Sequence, residues 1–212
     1  MRLPTVKNAR ESVGGFSSPG KMPCRAISYA IEHCHVGSKL AKIPGTICSF
    51  CYASGGHYNI PVVQEALQRR LEALGDPAWI DNMVRGINNA DYFRWHDSGD
   101  VQTDDSLDMA HLENIVEVCE RTPTTQHWLP THEIGLILKY LRHGGVFPDN
   151  LLVRMSAVFV DGQPPSFPHT STVHEKGKPI GQACPAYTQG GKCLDCRACW
   201  SKEVTNVSYP LH

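Results

Sequence analysis

The sequence predicts an α/β fold, a shortened or partial parallel (β/α) barrel with a C-terminal cysteine-rich module. Three observations predict it. Strand-like and helical hydrophobic patterns alternate through the middle of the chain, only about four strands can be counted, and seven of the nine cysteines fall into two clusters near the ends. Alternation of strand and helix implies right-handed crossovers and a parallel sheet. Four strands in 212 residues fall short of the closed eight-stranded barrel, which takes roughly 250 residues. The expected division is therefore 1–23 as an extended N-terminal segment, 24–160 as a parallel α/β cluster-binding domain, and 161–212 as a linker and cysteine-rich module packed on it.

The elements follow in order. Residues 1–23 are rich in Gly, Ser and Pro and show no period of helix or strand. Ile27, Tyr29 and Ile31 then alternate with small or polar residues in a short strand-like run that ends at His33-Cys34. A loop with Gly37, Pro44 and Gly45 leads to Cys48 and Cys51. Pro61 suits a first helical turn, Val63, Leu67, Leu71 and Leu74 recur at helical spacing, and Gly75 stops the pattern. A second helical piece over residues 77–87 precedes the strand Tyr92-Phe93-Arg94-Trp95, which empties into the loop His96-Asp97-Ser98-Gly99-Asp100. The spacing of Leu107, Leu112, Ile115 and Val118 predicts a helix from about Asp105 to Glu120. Thr125 to Leu129 reads as a strand, Thr131 as the cap of a helix ending at Gly144-Gly145, and Leu151 to Val160 as the next strand. Four prolines between residues 161 and 183 mark a linker.

A hydrophobic content of 41% with 19% charged residues and a formal charge of -1 is an ordinary soluble balance, so charge gives no indication of nucleic-acid binding. No apolar run approaches the roughly 18 residues of a membrane span, and no signal-peptide pattern opens the chain. The expected location is the cytoplasm. In that reducing compartment nine cysteines point to metal ligation or catalysis in place of disulfides, and the odd count agrees.

Cys184 is followed by Cys193-x2-Cys196-x2-Cys199, four thiols within 16 residues. Two successive C-x2-C steps resemble the tight run by which ferredoxins hold a cubane, whereas zinc more often uses two knuckles on a longer spacer. The other cluster is Cys34, then Cys48-Ser49-Phe50-Cys51. Three thiolates can hold three irons of a [4Fe-4S] cluster and leave the fourth open to a small ligand. The alternatives are one cluster drawing on both ends of the chain, or zinc. At the strand ends His96 and Asp97 are candidates for general acid or base, with His127, His132 and Glu133 near the next strand. Arg154 and Ser156, polar on an apolar strand, need buried partners; a carboxylate or phosphate of a ligand is one, Asp97 or Asp100 another.

The C-x-aromatic-C element after the first strand is similar to the cluster loop of radical S-adenosylmethionine enzymes, although thirteen residues separate Cys34 from Cys48 where that superfamily has three. That superfamily also carries Gly-Gly-Glu after its second strand, to hold the amino group of the methionine moiety. Ser98-Gly99-Asp100 stands here at that place. Over nearly its whole length the chain also resembles the gene product eighty-eight family of phage and prophage proteins, through GSKLAKIPGTICSFCYASGGHY, FRWHDSGD, HWLPTHE, NLLVRMSA and ACPAYTQGGKCLDCRACW. The resemblance implies a radical-S-adenosylmethionine-like, cluster-containing barrel and carries over no substrate or reaction. Together with the cysteine spacing it makes the leading expectation an iron–sulfur protein in the host cytoplasm, with a cluster at Cys34, Cys48 and Cys51 and a second at Cys184, Cys193, Cys196 and Cys199. If the chain is active, the expectation is S-adenosylmethionine held by Ser98, Gly99 and Asp100, with Arg154 and Ser156 as further cofactor-binding candidates, a reductant such as a flavodoxin or ferredoxin, and a small-molecule or macromolecular substrate. The competing expectations are a non-catalytic electron-transfer or redox protein and a zinc-stabilised structural module.

Overall fold

The computed structural model describes residues 4–211. Seven strands form one sheet: β1 (Arg25–Ile27), β2 (Tyr92–Trp95), β3 (Gln126–Thr131), β4 (Leu151–Ser156), β5 (Thr170–His174), β6 (Gln182–Ala183) and β7 (Asn206–Pro210), in the order β1-β2-β3-β4-β5-β7-β6 with all pairings parallel. The first five strands lie side by side in chain order. Crossovers of one hand then put their helices on one face.

Those helices are α1 (Val6–Ser12), α2 (His35–Leu40), α3 (Pro61–Ala73), α4 (Trp79–Ile87), α5 (Ala110–Glu120) and α6 (Ile134–Arg142). The apolar stripe of α4 (Trp79, Met83, Ile87), that of α5 (Leu112, Ile115, Val116, Cys119) and that of α6 (Leu136, Ile137, Tyr140) bury against Phe93, Trp95, Leu129, Val153 and Met155 of the sheet. Each large apolar side chain removed from water there is worth roughly 2–3 kcal/mol. Strand side chains alternate, so the residues between them face the other way. Arg94 pairs in register with Trp128, Pro130 with Arg154, Ser156 with Ser171, and Val173 with Tyr209. This second face is covered by the C-terminal segment: Trp200 sits 5.3 Å from both Tyr92 and Trp128, ring to ring.

Two domain expectations change. The N-terminal segment is not wholly extended, because Thr5 caps Asn8 N and α1 packs on α4, with Arg10 Nε donating to Gly86 O at 2.8 Å. Residues 161–212 are not a linker and a separate module, since they supply β5, β6 and β7 to the same sheet. A closed barrel is not expected, and among the described residues the sheet is open, with β1 and β6 as its two edges. The helix expected from Asp105 begins at Ala110, and β4 ends at Ser156. No helix among the described residues is long and apolar enough to cross a membrane.

Candidate functional site

A cavity of about 850 Å3 opens on the second face, at the C-terminal ends of β1 to β4, where parallel sheets carry their sites. Its wall brings together Cys34, Cys48 and Cys51 from the loop after β1, His96 to Asp100 from the loop after β2, and Cys184, Cys193 and Cys199 from the chain before β7. The two sequence clusters thus meet across one space. Cys196 faces a small adjoining void of about 10 Å3 that Cys184, Cys193 and Cys199 also line.

The first thiol set is built from tight turns. Cys34 precedes α2, Cys48 lies in a 3-10 turn capped by Thr46, and Cys51 follows that turn directly. Gly37 gives them clearance: a Cβ there would lie 3.0 Å from Cys34 Cβ, 3.6 Å from Cys34 Sγ and 3.7 Å from Cys48 Sγ. The sulfurs of Cys34 and Cys48 therefore share the space above one glycine. Burial pushes the Cys48 thiol up to about 12 and raises Cys34 further, with Cys51, Asp100 and Glu133 adding like charge. Left without a cation both stay protonated, and a metal would displace the protons on binding. All nine cysteines are free thiols. Among the described residues no group of three or more His, Cys, Asp or Glu is gathered tightly enough for a single ion. The donors are thiols with space above Gly37, the chemistry of soft-metal and iron–sulfur ligands.

Glu133, fully buried, holds α2 in place by accepting from Val36 N at 2.7 Å and pairing with His35 Nδ1 at 3.2 Å. His35 Nε2 and Lys39 both reach Asp105, at 2.9 and 2.7 Å. The loop after β2 is equally constrained. Ser98 and Tyr29 exchange hydrogen bonds, and Gly99 has φ +76° with Tyr29 O only 2.8 Å from where a Cβ would stand. Only glycine fits that backbone. Asp100 accepts from Val101 N, Thr131 Oγ1 and His132 N at 2.6–2.8 Å, and burial still raises its carboxyl to about 7. Asp97 accepts from Ser17 and Ser28.

Of the remaining candidates, His96, expected as a general acid or base, lines the cavity, and Arg154, expected to meet a ligand or an aspartate, is engaged elsewhere. His96 adopts φ +54°, and its ring lies among Tyr29, Trp95 and His111, where burial lowers its pKa well below the usual value and both ring nitrogens are without partners. Arg154 directs its guanidinium to the carbonyls of Thr170, Ala198, Cys199, Ser201, Val204 and Thr205 at 2.8–3.4 Å, so neither Asp97 nor Asp100 is its partner. It fastens the cysteine-bearing segment to β4. Ser156 does reach the cavity and bonds Ser171 at 3.1 Å.

Arg94 was not singled out by sequence. It lines the cavity, stacks at 4.7 Å over Trp128, and the signal that marks Arg154, a cation in an apolar strand, marks it too.

The Gene product 88 family model matches residues 5–169. The chain belongs to that family. The match takes in the first thiol set, the loop after β2 and all of β1 to β4, while the second thiol set of this Gene product 88 family member lies beyond it. No curated protein and no solved structure matches the chain.

Proposed function

We propose that this chain is an iron–sulfur protein in which Cys34, Cys48 and Cys51 hold a [4Fe-4S] cluster at one wall of the cavity. Cys184, Cys193, Cys196 and Cys199 hold a second metal centre beside it. The observation that carries this reading is the convergence of two thiol sets from opposite ends of the chain on one cavity, with Gly37 leaving clearance between Cys34 and Cys48. When bound, a cluster held by three thiolates supplies one-electron transfer and an iron open to a small ligand.

The chain's own residues set the surroundings of that centre. Glu133 fixes the turn that carries Cys34; Arg94, Trp128, Pro130 and Ser156 of the sheet line the floor; and Ser98, Asp97 and Asp100 present oxygen acceptors along the wall. Asp100 and Asp97 could receive an ammonium group, which makes S-adenosylmethionine the first ligand to try. Arg154 acts on the second thiol set by holding its backbone, and His96, at the cavity wall with both ring nitrogens unpartnered, is the candidate general acid or base. The sequential parallel order with helices on one face supports a partial-barrel geometry for the sheet. A second reading, a compact structural zinc, rests on Cys184, Cys193, Cys196 and Cys199 lining one small void, and requires them to draw closer together than they stand here.

Protein purified without oxygen is expected to be brown, with iron and acid-labile sulfide in equal amounts. Cys48→Ser and Gly37→Leu are each expected to remove about half or more of both without unfolding the chain. Colourless protein with stoichiometric zinc sinks the proposal. Iron retained in full by both variants removes the first cluster. Reductive cleavage of S-adenosylmethionine by reconstituted protein separates an enzyme from an electron carrier.

A further inference from the structure

We infer that the cavity takes a small carboxylate ligand with a flat apolar body, its carboxylate seated on Arg94. The inference deepens the reading of the cavity as a ligand site and does not depend on the identity of any metal.

Arg94 occupies the centre of the second face, between Ala26 and Trp128 in register, with its guanidinium carbon 4.7 Å from the Trp128 ring centroid. Its Nε is buried without a hydrogen-bond partner. One Nη donates to the Met22 thioether at 3.6 Å, a weak acceptor, and the Tyr52 phenol is hydrogen-bonded to the group. Among the described residues no carboxylate lies within 4.0 Å of it. The acidic group facing it from the next loop, Asp97, accepts from Ser17 and Ser28 and acts on Arg94 only through space, beyond ion-pair distance, so the guanidinium's donors stay open to a ligand.

A guanidinium does not neutralise itself by losing a proton, so a cation in this position is compensated by an anion. Arg154, on the same face two strands away, shows the contrast: its donors end on six carbonyls. Arg94 keeps the Nε edge, which together with a neighbouring Nη is the fork that matches two carboxylate oxygens. A single guanidinium suits a monoanion, because a phosphate is usually met by several donors. The rest of the ligand is set by Phe50 and Tyr52, which are half exposed at the cavity, with Tyr58 behind them and Trp128 below. Flat rings on that scale favour an apolar planar body.

The test uses indole-3-acetate as the probe and indole-3-acetamide, its uncharged isostere, as the control, by titration calorimetry on anaerobically purified protein before and after cluster reconstitution. Indole-3-acetate is expected to bind saturably at one site, and the acetamide at least tenfold more weakly. Arg94→Met is expected to weaken the acetate by about tenfold to a hundredfold while leaving the acetamide unchanged, with Arg94→Lys between. A residue held for ligand rather than for packing adds a second readout: ligand-free Arg94→Met melts at the same temperature as the parent or higher. Equal binding of acetate and acetamide, or a lower melting temperature of ligand-free Arg94→Met, overturns the assignment. So does loss of acetate binding on reconstitution, which would make Arg94 the counter-charge of the thiolates near Cys199. Iron and sulfide content decides the cluster reading separately, so failure of one leaves the other standing.

Discussion

Arg154 concentrates more hydrogen bonds than any other side chain described above, and every acceptor is a backbone carbonyl between residues 170 and 205. Lysine has a charge but only three donors and no planar fork. Arg154→Lys is therefore expected to cost about 2–4 kcal/mol, because several buried carbonyls lose their partner. Denaturant unfolding measures it; an unchanged midpoint would mean that water or other donors replace the guanidinium. The residue was legible as a buried cation, since it interrupts the apolar run Leu151-Leu152-Val153. Its partners were not legible, because a charge in a strand says that acceptors exist and nothing about which distant carbonyls they are. The same limit hid Arg94, whose neighbours Tyr92 and Trp95 made the strand itself plain.

Among the elements, α2 is the least secure by its own means. It has six residues, no side-chain cap on its first turn and no fully buried residue. Its position depends on Glu133 reaching across from the end of β3. Glu133→Ala leaves Val36 N and His35 without that partner, a loss of about 1–3 kcal/mol, which raises the population of the released turn by about tenfold or more. Alkylation of Cys34 by iodoacetamide under native conditions, read by peptide mass spectrometry, should accelerate by that factor, and an unaltered rate would show that the turn holds itself. Helices and strands with apolar periods, such as α3, α4, β2 and β4, were readable within a few residues. β5 and β7 were not. They pair through Thr170 Oγ1 to Asn206 Oδ1 at 2.7 Å, Asn206 Nδ2 to Thr172 Oγ1 at 2.9 Å and His174 Nδ1 to Ser208 Oγ at 2.8 Å, a buried polar ladder without a hydrophobic pattern. α1 was hidden for a related reason, since Ala9 is its one buried residue.

At the scale of the molecule, burial sets the response to acid. His111 and His127 are lowered to about 3 and His132 to about 4, all by desolvation, so each is neutral in the folded chain. Unfolded, a histidine binds its proton near 6.5. Between about pH 6.5 and 4 the unfolded chain therefore holds more protons than the folded one, and stability falls as pH falls. The expected loss is up to about 3 kcal/mol per histidine by pH 4, offset in part by Asp100, whose carboxyl at about 7 takes its proton in the folded chain first and so stabilises it as pH falls. The denaturant midpoint at fixed temperature should drop steeply below pH 6 and recover partly in His111→Gln; a flat midpoint from pH 7 to 4.5 contradicts the burial of these rings. The cavity imposes an order in time as well. The first thiol set and the loop after β2 are made early, but Ser171 and Val173 of β5, three further thiols and Tyr209 all come after residue 170. On the ribosome the first thiol set emerges long before its opposite wall, so the half-built cavity stands open to solvent and oxidants until the residues through Tyr209 have followed. Protection of those early thiols during translation then falls to the cell's reductants rather than to the protein.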